Sequence, residues 1–197
     1  MTYCLGLTGS IGMGKSTTAQ MFRDAGLPVW DADATVHQLY AKGGAAVAPI
    51  RAALPDAVID DAVSRSVLKD MITADLGVLA IVEGIVHPLV AQDRQAFLAR
   101  TTSDIAIFDI PLLFETRADT WLDATVVVSV PPEVQAERVL SRPDMTRAQF
   151  DAILSRQLPD DEKRARATHV IETLTLDGTR AAVDALIASI RKELTNA

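Results

Sequence analysis

Apolar residues are grouped in short runs along this chain, with longer mixed segments between them. A short run of β-branched, aliphatic or aromatic residues with few polar breaks is typical of a strand that is buried on both faces of a sheet. Such runs predict five strands, the last of them the weakest, at residues 3–8, 27–30, 105–110, 124–130 and 169–171.

The longer segments repeat their apolar residues at a spacing of three or four, which predicts helices. Seven helices are expected, at residues 15–25, 34–41, 64–72, 85–100, 132–141, 147–157 and 178–194. Because strands and helices alternate along the chain, the pattern predicts an α/β fold with a parallel sheet flanked by helices.

Two segments are too long to be simple connections between neighbouring strands. Residues 32–103 separate the second and third predicted strands and are mostly helical, which predicts an inserted helical subdomain. Residues 142–166 are rich in charge and contain Pro143 and Pro159, which predicts a lid. We therefore expect a single domain over residues 1–197, whose core comprises residues 1–31, 104–141 and 167–197.

Composition and charge narrow the classes of protein to which the chain belongs. Its hydrophobic fraction of 49% is that of a folded globular protein. A net charge of -7 argues against nucleic acid or an anionic membrane as a partner. The beginning of the chain lacks the features of a signal peptide, and no apolar run approaches the roughly 18 residues of a membrane span, so we expect a cytoplasmic protein.

Three core positions are predicted from the apolar runs. Cys4, the only cysteine, lies within such a run and is expected to be a buried thiol. Trp30 and Trp121 lie in or beside apolar runs and are expected in the core.

Residues 9–16 match the phosphate-binding pattern G-x-x-x-x-G-K-[ST]. In this pattern Gly12 and Gly14 let the backbone approach a nucleotide closely, Lys15 neutralises phosphate oxygens, and Ser16 ligates Mg²⁺. The alternative is a glycine-rich turn followed by an exposed lysine. The position of the motif, after a predicted strand and at the start of a predicted helix, favours nucleotide binding.

Carboxylates follow the predicted second and third strands. Asp31 and Asp33 come directly after the second strand, where ligands bind in an open α/β sheet. Asp33 is therefore either a general base for an attacking hydroxyl or the N-cap of the next helix, and the residues alone leave both possibilities open. Asp109 ends the third strand and is expected to hold Mg²⁺, with a turn residue before Pro111 as the alternative.

A second set of side chains has less defined roles. Glu115 either supports the metal site indirectly or begins a solvated helix. Arg138, Arg142 and Arg156 are candidates to stabilise the charge of a transferring phosphoryl group, although a solvated helix surface would show the same spacing. His87 precedes a proline in a helical segment, which favours a structural hydrogen-bonding role.

Several separated motifs resemble the bacterial dephospho-coenzyme A kinase family over nearly the full chain. The extended phosphate loop is similar to that of the family, although Ser10 and Met13 stand where glycine and serine are more usual. The element Asp31-Ala32-Asp33 also resembles a family motif. Further similar segments are residues 87–90, 109–115 and 135–142, with Arg156-Gln157 and Glu162-Lys163.

The resemblance implies an activity and a set of site residues. It implies that ATP and Mg²⁺ are used to phosphorylate the ribose 3′-hydroxyl of dephospho-coenzyme A. Asp33 is implied as the catalytic base, with Lys15 and Arg142 also catalytic, and Asp33 and His87 contacting the acceptor. Ser16 and Asp109 would hold the metal. The implied ATP-binding residues are Gly9, Ser10, Ile11, Gly12, Met13, Gly14, Lys15, Ser16, Thr17, Arg138 and Arg142.

The chain departs from the family pattern near its end, and two other functions compete. Val-Ile-Asp-Asn is common in the family, whereas this chain has residues 170–173 as Val-Ile-Glu-Thr, so no adenine contact is assigned near 168–173.

One competing function is that of a kinase for another small acceptor, such as a nucleoside monophosphate. A GTP switch is disfavoured because Asn196 is the only asparagine, which excludes an Asn-Lys-x-Asp element. The oligomeric state is left open.

Overall fold

Seven strands are present in the computed structural model, which describes residues 2–196. Five of the strands form one sheet in the order β2-β5-β1-β6-β7, and the other two form a separate antiparallel pair, β3-β4. The pairings of β1 with β5 and β6, and of β6 with β7, are parallel. The strands are β1 (Tyr3–Thr8), β2 (Val29–Asp31), β3 (Val58–Ile59), β4 (Ala62–Val63), β5 (Ile105–Asp109), β6 (Ala124–Ser129) and β7 (His169–Glu172).

Helices connect these strands and confirm the predicted α/β fold with a parallel sheet flanked by helices. Short 3₁₀ turns occur at Pro55–Ala57 and Ala118–Trp121. Within residues 2–196, no helix has both the length and the apolar character needed to span a membrane. The helices are α1 (Lys15–Asp24), α2 (Ala32–Tyr40), α3 (Val47–Ala53), α4 (Arg65–Ala74), α5 (Gly77–Arg100), α6 (Pro132–Leu140), α7 (Arg147–Leu154), α8 (Asp160–Arg166) and α9 (Leu176–Asn196).

β5 and β6 are buried along their entire length, which explains why their sequences consist almost entirely of apolar residues. β1 lies between them, with Leu5 opposite Ile107 on one side and Ala124 on the other. Helices α1 and α9 pack against the sheet, and Phe22 of α1 is fully buried in the same core. This packing fixes the end of β1, from which the phosphate-binding motif continues.

Three helices differ from the prediction, and one of them, α3, was not predicted at all. α8 was also not predicted, because its sequence is almost entirely charged and has no apolar period, although its acidic start and basic end suit the helix dipole. α5 begins at Gly77, eight residues before the predicted start at residue 85. Its buried residues Val78, Val82 and Val86 follow a spacing of four, but an internal glycine and proline interrupt the visible pattern.

The chain divides into two compact units. One comprises the residues up to Trp30 and those from Thr101 onward, and the other is Asp31–Arg100. The second unit contains α2 to α5 and the β3-β4 pair around its own apolar core, which includes the fully buried Ile50. The roles predicted for residues 32–103 and 142–166 as insertion and lid stay predictions, and the terminal residues Met1 and Ala197 lie outside the described residues.

The three predicted core positions have different outcomes. The prediction for Trp30 is confirmed, since it is buried and packs against Phe108 with ring centroids 5.9 Å apart. The prediction for Cys4 is wrong, because β1 is only partly covered at its beginning and the thiol there is half-buried. Trp121 is also half-buried; it lies in a 3₁₀ turn and contacts Phe108 edge-on with ring centroids 5.0 Å apart.

Candidate active site

The phosphate-binding motif forms a loop between β1 and α1. Gly12 and Gly14 have positive φ angles of 80° and 87°, which favour glycine. The space is also restricted, since a Cβ atom on Gly14 would lie 2.8 Å from Oγ1 of Thr173. α1 begins at Lys15 without a side-chain cap, so its first backbone N–H groups and its positive dipole end are available to an anion.

Lys15 and Asp109 meet at the carboxyl ends of neighbouring strands. The Lys15 Nζ atom donates a hydrogen bond to Oδ1 of Asp109 over 2.5 Å. The contact is largely shielded from water, because the Asp109 side chain is only 4% exposed. In the β1-β5 register Leu7 lies opposite Asp109, so parallel pairing brings the carboxylate to the loop. The sequence placed both residues at this edge, but the roles assigned to them stay predictions.

Two glutamines hold the backbone of Ile11 within the loop. The Nε2 atom of Gln135, in α6, donates to the Ile11 carbonyl over 2.8 Å. The Ile11 N–H donates to Oε1 of Gln157, just after α7, over 3.1 Å. Sequence reasoning assigned neither residue a role. The sequence showed only that both glutamines lie in segments resembling the family, and this resemblance did not indicate that either would contact Ile11.

Thr173 and Arg138 support the other side of the loop. The Thr173 hydroxyl donates to the Met13 carbonyl over 2.7 Å. The Arg138 guanidinium donates to Oγ1 of Thr173 over 3.4 Å and to the carbonyls of Thr173 and Leu174 over 2.7 and 3.3 Å. Arg138 is therefore bound to the segment after β7, which was the segment to which the sequence assigned no contact.

A cavity of about 340 Å³ borders this face of the loop. Arg138 and Arg142 both line it, so the structure places the two predicted arginines beside the loop. Arg156 is exposed and is not among its lining side chains. The remaining lining residues are Gly12, Gly14, Thr17, Thr18, Thr173, Leu176 and Thr179.

A larger cavity of about 780 Å³ lies between the loop and the segment that was predicted as a lid. Ser10 and Gln135 line it on the loop side, and Gln157, Asp160 and Arg164 line it on the other. Residues of the phosphate loop therefore line both cavities, and polar side chains from other segments line each cavity with them.

Glu115 lies in a turn and forms an ion pair with Lys163, so the alternative that it begins a solvated helix is wrong, while its indirect support of the metal site stays a prediction. Its Oε1 atom lies 3.0 Å from Nζ of Lys163 and accepts the Leu158 N–H over 2.7 Å. Burial raises the pKa of Glu115, but the hydrogen bonds from the Leu158 N–H and from its own N–H, together with the nearby Lys163 ammonium, lower it below its usual range. Glu115 therefore anchors α8 to the segment after β5.

The other unit contains the predicted acceptor-side residues. Asp31 is the N-cap of α2, because its Oδ1 atom accepts the Ala34 N–H over 2.9 Å. The capping alternative for Asp33 is therefore wrong; Asp33 lies in the first turn of α2 and is exposed. His87 lies in α5 and is also exposed, without the hydrogen bond that a structural role would require among residues 2–196. Their contacts with an acceptor stay predictions.

The metal-binding groups near the loop are few. In the part of the chain that the structure describes, no group of three or more His, Cys, Asp or Glu residues forms a metal cluster. Ser16 presents an exposed hydroxyl in the first turn of α1, and Asp109 provides one carboxylate at the same edge of the sheet. One hydroxyl and one carboxylate suit Mg²⁺, which commonly takes its other ligands from substrate phosphates and water.

Comparisons with known proteins agree over almost the whole chain. A family model described as dephospho-CoA kinase matches residues 3–176. A dephospho-CoA kinase of Ruegeria pomeroyi is 60% identical over 97% of this chain and 97% of its own. TT1252 of Thermus thermophilus has a crystal structure with a TM-score of 0.83 at 33% identity, covering 95% of this chain and 97% of its own. A dephospho-CoA kinase of Campylobacter jejuni, 20% identical over 96% of this chain and 97% of its own, shares the fold with a TM-score of 0.64.

Proposed function

This chain belongs to the dephospho-CoA kinase family, and we propose that it transfers the γ-phosphoryl group of ATP to the ribose 3′-hydroxyl of dephospho-coenzyme A. The products are coenzyme A and ADP, in the last step of coenzyme A biosynthesis. The observation that carries the proposal is a family match extending from β1 to the start of α9, well beyond the phosphate loop that many kinases share.

The donor half of the reaction is supported by the geometry of the loop. Its backbone N–H groups and the N-terminus of α1 bind the ATP phosphates, and the Lys15 ammonium neutralises their charge. Arg142, which lines the cavity beside Gly12 and Gly14, stabilises the negative charge that spreads over the transferring group. Loop, lysine and arginine together hold the γ-phosphoryl group in place for attack.

The acceptor half of the reaction is assigned to Asp33. Its carboxylate accepts the proton of the ribose 3′-hydroxyl as the oxygen attacks the γ-phosphorus. A new O–P bond forms, the bond from phosphorus to the bridging oxygen breaks, and ADP leaves with that electron pair. Its exposure and its freedom from the capping role, which Asp31 performs, support this assignment. His87 is proposed as an acceptor contact on the resemblance alone.

The metal ion in this proposal is Mg²⁺. Ser16 and Asp109 are the residues that would hold it, because both supply oxygen donors at the edge of the sheet from which the phosphate loop continues. When bound, the ion supplies charge neutralisation on the phosphate oxygens. A metal titration followed by ATP turnover tests this assignment.

The proposed setting is the cytoplasm, with a small molecule as the partner. The net charge of -7 supports a small-molecule partner, since it opposes binding to nucleic acid or to an anionic membrane surface.

A coupled assay of ADP release tests the function. The full-length protein is given ATP and either dephospho-coenzyme A or one of a panel of nucleosides and nucleoside monophosphates. We expect turnover with dephospho-coenzyme A and a product that carries phosphate at the 3′ position. Turnover only with nucleoside monophosphates would overturn the assigned acceptor, whereas no ATP binding at all would overturn the donor site.

A further inference from the structure

Two carbonyl groups of the phosphate loop are held by buried side chains from elsewhere in the chain. The Met13 carbonyl accepts from the Thr173 hydroxyl over 2.7 Å, and the Ile11 carbonyl accepts from Nε2 of Gln135 over 2.8 Å. Both donors are only 6% exposed. A buried polar group is almost always hydrogen-bonded, so each of these side chains keeps its carbonyl partner. The two contacts therefore determine the direction of both carbonyls.

The direction of a carbonyl determines the direction of the next N–H. A trans peptide group is planar, and its C=O and N–H point to opposite sides of the chain. The Met13 carbonyl shares its peptide group with the Gly14 N–H, and the Ile11 carbonyl shares its peptide group with the Gly12 N–H. Residues 2–196 contain no cis peptide bond, so holding each carbonyl turns the following N–H away from Thr173 or Gln135.

Thr173 itself is held firmly. Its N–H donates to the Ser129 carbonyl over 3.0 Å, which continues the pairing of β6 with β7. Its own carbonyl accepts from Arg138 over 2.7 Å, and Arg138 also reaches its hydroxyl. Arg138 and Gln135 are three residues apart on α6 and therefore share a face of that helix.

We propose that Thr173 and Gln135 are positioning residues for ATP, which orient the N–H groups of Gly14 and Gly12 toward the phosphates. Arg138 acts with them by holding Thr173, in place of a direct phosphate contact. The inference rests on the proposed binding of ATP at this loop and adds the groups that give the loop its shape. It also gives a role to Thr173, a residue to which the sequence assigned no contact.

The test compares two substitutions of Thr173 that differ in one group. Thr173→Val keeps the shape that packs against Gly14 but removes the hydroxyl, whereas Thr173→Ser keeps the hydroxyl. Leaving the Met13 carbonyl without its donor is expected to raise KM for ATP about tenfold, the size of one lost buried hydrogen bond. KM for dephospho-coenzyme A should stay unchanged, and Thr173→Ser should restore most of the ATP affinity.

A second variant and a binding measurement keep the test informative if Thr173→Val folds poorly. Gln135→Met removes the donor to Ile11 and is expected to raise the Kd for ATP in calorimetry by a similar factor. Equal ATP affinities for Thr173→Val and Thr173→Ser would overturn the inference, as would equal effects on both substrates. Failure of the unmodified protein to bind ATP would instead overturn the proposed function.

Discussion

The ammonium nitrogen of Lys163 lies 3.0 Å from Oε1 of Glu115, although the lysine side chain has no exposed surface. Within residues 2–196 Nζ has no hydrogen-bond partner, so the attraction between the two charges is its main polar contact. A buried charge is tolerated only with a partner, so this single contact joins α8 to the segment after β5. The same carboxylate also accepts the Leu158 N–H, which brings the chain after Gln157 to the same point.

Removing the lysine charge should destabilise the fold. Lys163→Met is expected to lower the free energy of unfolding by about 3 kcal/mol, at the low end for breaking a buried ion pair because Glu115 keeps some contact with water. Urea denaturation measures the change. Lys192→Met is the matched control, because Lys192 is exposed on α9, and it should change stability by less than about 0.5 kcal/mol. Equal effects would contradict the buried pair.

The lowered pKa of Glu115 predicts a dependence of stability on pH. A carboxyl group whose pKa is lower when folded contributes stability above its unfolded pKa, about 4.3 for glutamate, and loses it as the pH falls through the folded value. The unfolding free energy should therefore fall between about pH 5 and pH 3, and Glu115→Gln should show a shallower fall. Urea titrations at several pH values measure both slopes, and identical slopes would rule out this contribution.

Asp33→Asn tests the proposed base. The substitution keeps the size of the side chain but removes its ability to accept a proton, so kcat should fall by at least about a hundredfold. Stability should be little changed, because Asp33 is exposed and Asp31 provides the helix cap. Asp70→Asn, at an exposed position of α4, is the control. Steady-state kinetics with both substrates decide the matter, and a near-normal kcat for Asp33→Asn would reject the role.

Lys15→Ala tests the donor site. Loss of its charge from the phosphates should reduce kcat/KM for ATP by about a hundredfold or more. Lys69→Ala, at an exposed position of α4, should leave this value unchanged. Circular dichroism is needed alongside the kinetics, because Lys15 also pairs with the buried Asp109. A folded variant with unchanged ATP affinity and turnover would defeat the loop assignment.

Local patterns were sufficient for the five strands of the parallel sheet and for the loop, whereas the short β3-β4 pair was not predicted. A strand such as β6 is buried on both faces, so nearly all its residues are apolar and the run is visible in the sequence. The loop is visible because Gly9, Gly14, Lys15 and Ser16 stand at a fixed spacing. α8 and the beginning of α5 were missed because charge, glycine and proline obscure their period.

The sequence alone determined the α/β class, the position of the phosphate loop and the presence of carboxylates after two strands, because each depends on residues close together in the chain. Only the tertiary structure decided that Asp109 pairs with Lys15, that Asp31 and not Asp33 caps α2, and that Thr173 supports the loop. Thr173 and Met13 are 160 positions apart. The sequence does not show which group a buried polar side chain will contact, because that partner is determined by the order of the parallel strands and by helix packing.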